Sequence, residues 1–332
     1  MSLSATHKLK QARERLEQGD ITGAAYLCEQ VLGRTPLNAE ASCLLGIIHL
    51  MSGAVQDAVI MLQRAVSALP EYGLALEHLG LAHLLLGEAA AAEAPLRAAT
   101  ALRGAPASVH MRLGLSLLYQ GRVNDAISAL RRAVSLAPDD TDCQLNLGQA
   151  LARAGDLAAA RSALEAAMRL DPARTDAMFN LGVIEMEQDN ADTAEQWFTR
   201  VTAKDPQHAD ALVNLGIVAQ KRQHLNVAID FFQRALKLNP ALAAARNNLA
   251  HTLVLQNRFA AAREEYLVTL SAAPELIEAH EGLATVCRRL GRLKECIEHL
   301  QQIIALGSGN GLIWAGLADA LFQSGEITEA EA

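Results

Sequence analysis

Along most of the chain apolar side chains return every three or four positions, the spacing of a helix that buries one face. The stretch DALVNLGIV, residues 210–218, reads as such a helix, with an asparagine beside its Leu-Gly pair. NLG occurs again at 146–148 and 180–182, and NNLA spans 247–250, so Asn146, Asn180, Asn214 and Asn248 are evenly spaced. A longer period holds them. Prolines fall at Pro36, Pro70, Pro138, Pro172, Pro206, Pro240 and Pro274, at intervals of 34 residues, or 68 where Gly104 takes the expected place. With each proline counted as position 32, units start at residues 5, 39, 73, 107, 141, 175, 209, 243, 277 and 311. The chain then divides into a tail over 1–4, nine whole units over 5–310 and a shortened tenth over 311–332.

Equivalent positions carry equivalent residues. Position 7 is leucine from Leu45 to Leu317, with Gln11 the exception; position 8 is glycine or alanine throughout, and position 20 is alanine except at Cys296. Small residues at 8 and 20 let two helices approach closely, and a bulky residue at position 24 (Leu130, Phe198, Phe232, Tyr266) fills the space beside them. Glycine at position 15, as in Gly53, Gly87 and Gly155, predicts a left-handed residue that ends the first helix, and the proline stops the second. Each unit is a helical hairpin. This pattern resembles the tetratricopeptide repeat: 34 residues, L-G at 7 and 8, A at 20, an aromatic or Leu at 24 and P at 32. The resemblance implies an all-α, right-handed superhelical solenoid whose first helices line a concave side. Two departures stand out: the usual tryptophan at position 4 appears only as Trp314, and Asp189, Gln223 and Asn257 replace the turn glycine in three successive units.

Composition agrees with helix and narrows the function. The chain is 51% apolar and 4% aromatic, rich in Ala and Leu and poor in proline, which disfavours a sandwich or barrel. A net charge of −8 disfavours a phosphate-binding surface, so no nucleic-acid partner is expected. The N-terminus lacks the apolar core of a signal peptide, and no apolar run approaches the ~20 residues of a membrane span; a soluble, cytoplasmic protein is expected, with no membrane partner. Five scattered cysteines without a CxxC pair read as buried reduced thiols. His49 and His83 read as core histidines, and Cys296 with His299 as packing residues rather than ligands. No nucleotide-binding, metalloprotease or nucleophile-elbow motif occurs, so neither catalysis nor a cofactor or metal is expected.

On the first helix, positions 3, 4, 7, 8 and 11 form a packing stripe, and 2, 5, 6, 9, 12 and 13 a second stripe expected on the concave side. In units two to four the second stripe is apolar: Ile47, Leu50, Met51, Leu81, Leu84, Leu85, Leu115, Leu118 and Tyr119. Exposed, these residues would form a groove for an amphipathic helix or a self-association surface, making a homo-oligomer possible; covered, they are ordinary core. In units five to eight the stripe turns polar. Asn146, Asn180, Asn214 and Asn248 all occupy position 6, Asp142, Asp176 and Asp210 lie one turn earlier at position 2, and Asn247 adds an extra amide. A carboxamide offers donor and acceptor together and so can grip a peptide main chain without reading its side chains. Helices ~8–10 Å apart would meet an extended chain at roughly every third residue or beyond. This arrangement resembles the peptide-binding lumen of O-linked N-acetylglucosamine transferases. The resemblance implies that the asparagines hold backbone and the aspartates favour basic segments. The expected function is a non-catalytic scaffold binding extended polypeptide. Two alternatives remain: the recognition arm of a longer glycosyl- or sulfotransferase, since the chain stops within the tenth unit, and a self-assembling scaffold.

Overall fold

Residues 4–325 are described in the computed structural model, and among them lie nineteen α-helices and no strand. The chain divides into two compact units of contact, Met1–Ala177 and Met178–Ala332. The first contains α1 (Ala5–Glu17), α2 (Ile21–Leu32), α3 (Ala39–Met51), α4 (Val55–Ala68), α5 (Gly73–Leu85), α6 (Ala89–Ala101), α7 (Ala107–Tyr119), α8 (Val123–Leu136), α9 (Thr141–Arg153) and α10 (Leu157–Leu170). Beyond them come α11 (Thr175–Glu187), α12 (Ala191–Lys204), α13 (Ala209–Lys221), α14 (Leu225–Leu238), α15 (Ala243–Leu255), α16 (Phe259–Ala272), α17 (Ile277–Arg289), α18 (Leu293–Ala305) and α19 (Gly311–Ser324). Successive helices pack as antiparallel hairpins, the architecture of an all-α repeat solenoid. Ile327 and Ala330, where the sequence places the start of a further helix, lie outside the described residues.

The hairpin is closed by backbone chemistry at position 15. Glycines there adopt positive φ, and so do the three replacements, Asp189, Gln223 and Asn257, at 59°, 62° and 58°. Side-chain caps start several helices: Asn38, Asp140 and Asp156 accept from backbone N–H groups three residues on, and Asn310 accepts from Leu312 and Ile313.

Within each hairpin the glycine at position 8 is a contact point. A Cβ on Gly148 would lie 2.7 Å from Leu164 Cγ, and one on Gly216 2.5 Å from the Phe232 ring. Leu164 and Phe232 are fully buried. The buried arc is wider than the sequence reading gave it. Position 10 (Ile48, Ser116, Ile184, Val218, Val286) is buried, and so is position 5 at Cys43, Leu145 and Val213, although the second stripe was expected to include it. A first helix packs against its own second helix on one side and the preceding hairpin on the other, so two partners cover more than one stripe. The two histidines differ from the core reading as well. His49 and His83 are half-buried, and His83 Nδ1 lies 2.7 Å from Glu88 Oε2.

Candidate functional site

In the first unit the expected apolar groove is largely closed. Ile47 and Leu50 pack against the core, Leu81, Leu84 and Leu115 are half-buried, and Leu118 is buried. Arg153 of α9 reaches back to Leu118, donating from Nη1 to its carbonyl oxygen at 3.3 Å. What remains open is a row at position 13: Met51, Leu85 and Tyr119, exposed by 55, 58 and 68%.

At the polar end of this unit, Asn146 is half-buried on α9 and donates from Nδ2 to Asp142 O at 2.8 Å. Asp142 and Asp176, both exposed, share one internal cation. Arg174 lies between them, its Nη2 at 2.5 Å from Asp142 Oδ1 and its Nε at 3.5 Å from Asp176 Oδ2. One position 6 residue before Asn146, Arg112 pairs with Glu77, which also accepts from Ser108 Oγ at 2.7 Å.

In the second unit, Asn180, Asn214 and Asn248 stand half-buried at the same position of α11, α13 and α15. Asn214 Nδ2 donates to Asp210 O and Asn248 Nδ2 to Ala244 O, both at 2.9 Å. This bond to the carbonyl one turn back fixes the carboxamide and leaves its oxygen and second N–H for another partner. The Asp210 carboxylate, in the first turn of α13, makes no ion pair or side-chain hydrogen bond among the described residues, and the helix N-terminus favours its charge. Beside it, His208 caps α13 by accepting from Ala211 N at 3.2 Å and stacks on Phe179 at 4.9 Å between centroids.

The row of asparagines ends at Gly282. There a cavity of about 390 Å³ opens between α15, α16 and α17, lined by Asn247, Asn248, His251, Tyr266, Glu278, Glu281, Gly282 and Thr285, with Val254 at its side. His251 Nδ1 lies 3.0 Å from Gln220 Nε2. Sequence reasoning reached Asn247 and Asn248 here and missed Glu278, Glu281 and Tyr266. The carboxylates are legible as further acidic residues at positions 2 and 5; the tyrosine reads only as core at position 24.

The five cysteines are all buried. Burial pushes the thiols of Cys43, Cys143 and Cys287 up to about 12 and that of Cys28 to about 11, and it raises Cys296 as well, so all five stay protonated. His299 Nδ1 lies 3.0 Å from His280 Nδ1 between α17 and α18. No described helix is long and apolar enough to cross a membrane.

Family models cover most of the chain. That of the cytochrome c-type biogenesis protein H TPR domain matches residues 95–208. Tetratricopeptide repeat models match 9–72, 209–242, and 243–266 with 277–302. No curated protein matches in sequence. Among solved structures, a chain of the APC/C hetero-tetramer Cut9-Hcn1 aligns with TM-score 0.61 and 14% identity over 96% of each chain. PilF of Pseudomonas aeruginosa aligns with TM-score 0.54 and 21% identity, over 64% of this chain and 97% of its own. Both likenesses are of fold. The repeat models, the register of the hairpins and these folds agree: the chain belongs to the tetratricopeptide repeat family.

Proposed function

We propose that the chain is a non-catalytic protein-interaction scaffold that holds extended polypeptide on the face carrying Asn180, Asn214 and Asn248, with Asn146 serving the same role in the first unit. One observation carries the reading: Asn146, Asn214 and Asn248 share one side-chain arrangement, each anchored by a single hydrogen bond of 2.8–2.9 Å to its own helix. An amide already fixed loses little freedom when it meets a peptide group, which supports the reading. The preference for basic segments rests chiefly on Asp210, since the single charge of Arg174 offsets one of the two carboxylates of Asp142 and Asp176. Five buried, unpaired thiols suit a reducing, cytoplasmic setting.

A peptide array tests the reading. Each neutral hydrogen bond contributes about 0.5–1.5 kcal/mol net, so one Asn→Ala change should weaken binding only a few-fold. Replacing Asn146, Asn180, Asn214 and Asn248 together should weaken all bound peptides by similar factors, because the lost contacts are to main chain. Full retention of binding by that quadruple variant removes the asparagines from the function.

A second reading, self-association, is supported by the row Met51, Leu85 and Tyr119, three large apolar side chains each more than half exposed at one position of successive hairpins.

A further inference from the structure

Tyr266 occupies position 24 of the eighth hairpin, where five of the other hairpins place leucine and two phenylalanine. Its own partner at position 8 is Ala250 rather than glycine, and its ring extends instead to the next hairpin, where Gly282 stands at the position that carries asparagine in the four preceding ones. A Cβ on Gly282 would lie 2.2 Å from Tyr266 Cζ and 2.4 Å from its hydroxyl oxygen. The glycine is thus required by the tyrosine, whose ring takes the space of the missing side chain and borders the cavity described above.

Acceptors predominate in that cavity, beside the exposed His251 ring and the remaining carboxamide N–H groups. Tyr266 is 2% exposed, yet its hydroxyl has no hydrogen-bond partner among the described residues and lines the opening. Asn247 Oδ1 is buried and accepts no hydrogen bond. Asn248 spends one N–H on Ala244 O and keeps its oxygen. Glu278 and Glu281 stand three residues apart on α17, both exposed, and neither forms an ion pair among the described residues. No Lys or Arg lines the cavity. Two carboxylates, the Asn248 amide oxygen and a hydroxyl call for a ligand that donates several hydrogen bonds and carries positive charge. Lysine ammonium and arginine guanidinium groups are donors only. We infer that the notch at Gly282 is a subsite for a cationic side chain, lysine or arginine, of the polypeptide held along the asparagine row; its setting rests on the scaffold reading above.

The subsite can be tested without any peptide main chain. The full chain labelled with 3-fluorotyrosine gives signals from Tyr26, Tyr72, Tyr119 and Tyr266, and Tyr266→Phe identifies the last by its loss. The probes are N-acetyl-lysine N-methylamide, its arginine and norleucine counterparts, and magnesium chloride. One or both cationic amides should shift the Tyr266 fluorine resonance saturably, and their relative affinities separate ammonium from guanidinium. Norleucine amide should not shift it, and Glu278→Gln/Glu281→Gln should weaken the response at least tenfold while helicity is unchanged. An equal response to norleucine, a saturable shift from magnesium alone, full retention in the double variant, or no shift from either cationic amide overturns the assignment. Failure of the peptide array with a retained amide shift sinks the scaffold reading and keeps the pocket; an intact array with no amide shift does the reverse.

Discussion

Asp189, Gln223 and Asn257 hold the left-handed conformation that glycine holds in the other described hairpin turns. That conformation costs an L-residue about 1–2 kcal/mol, less for Asn and Asp, whose short side chains hydrogen-bond locally. Gln223 has no such relief. Gln223→Gly should therefore stabilise the protein by about 1 kcal/mol, read as a raised urea midpoint. Gly155→Ala is the converse: nothing lies within 4 Å of the added methyl, so the whole loss, about 1 kcal/mol or more, comes from φ of 81°. Glycines at this position were legible in the sequence because their spacing is fixed by the chain's own repeat. Their three replacements stood in the sequence only as departures, and their positive φ is seen in the structure. Side-chain partnerships were not legible in the same way. Arg174 sits at position 34, where the other hairpins carry Asn, Asp, His, Tyr, Pro or Leu, and nothing in its spacing says that it will bridge Asp142 and Asp176.

Between helices, shape and titration can be tested separately. The close approach at Gly148 leaves no room for a methyl beside Leu164, so Gly148→Ala should cost about 1–3 kcal/mol by overpacking. Adding Leu164→Val should recover part of that loss, and thermal melts of the two variants measure the coupling. Between α17 and α18 the link is a histidine pair. His280 Nε2 donates to Pro274 O at 2.9 Å, and its Nδ1 lies 3.0 Å from His299 Nδ1. Burial holds His299 below the usual histidine range, with His280 and Arg263 adding to the shift and Glu298 and Glu295 opposing it. A folded-state value below the unfolded one, about 6.5, means stability that is complete above that pH and lost as pH falls beneath it. Melting temperature should drop between pH 7.5 and 5.5, and His299→Leu should flatten the slope. It should not abolish the slope, because burial and Arg132 depress His110 too. The packing helices themselves were readable from small residues at 8 and 20. The width of the buried arc was not, since it depends on the preceding hairpin, which periodicity within one helix does not include.

Over the whole molecule the question is whether the remaining apolar surface joins copies together. A sequence reading treats Leu84, Leu85 and Leu118 alike, as members of one groove, but only Leu85 stands mostly in water; Leu118 is buried and Leu84 half-buried. Polar substitution at Leu118 would unfold the hairpin locally and lower any association for the wrong reason. The informative variant is Met51→Gln/Leu85→Gln/Tyr119→Gln, which changes the exposed row and leaves the core side chains in place. A net charge of −8 opposes association of like copies, so contacts through this row must outweigh the repulsion, and salt should strengthen them as it screens the charge. Light scattering on the wild-type chain should then give a mass above 35.5 kDa that rises with protein and salt concentration, and the triple variant should return to the monomer value with unchanged circular dichroism. A wild-type chain that is monomeric at high concentration in both low and high salt would assign the row to surface alone. The peptide face would then be the only interaction surface left to the scaffold reading.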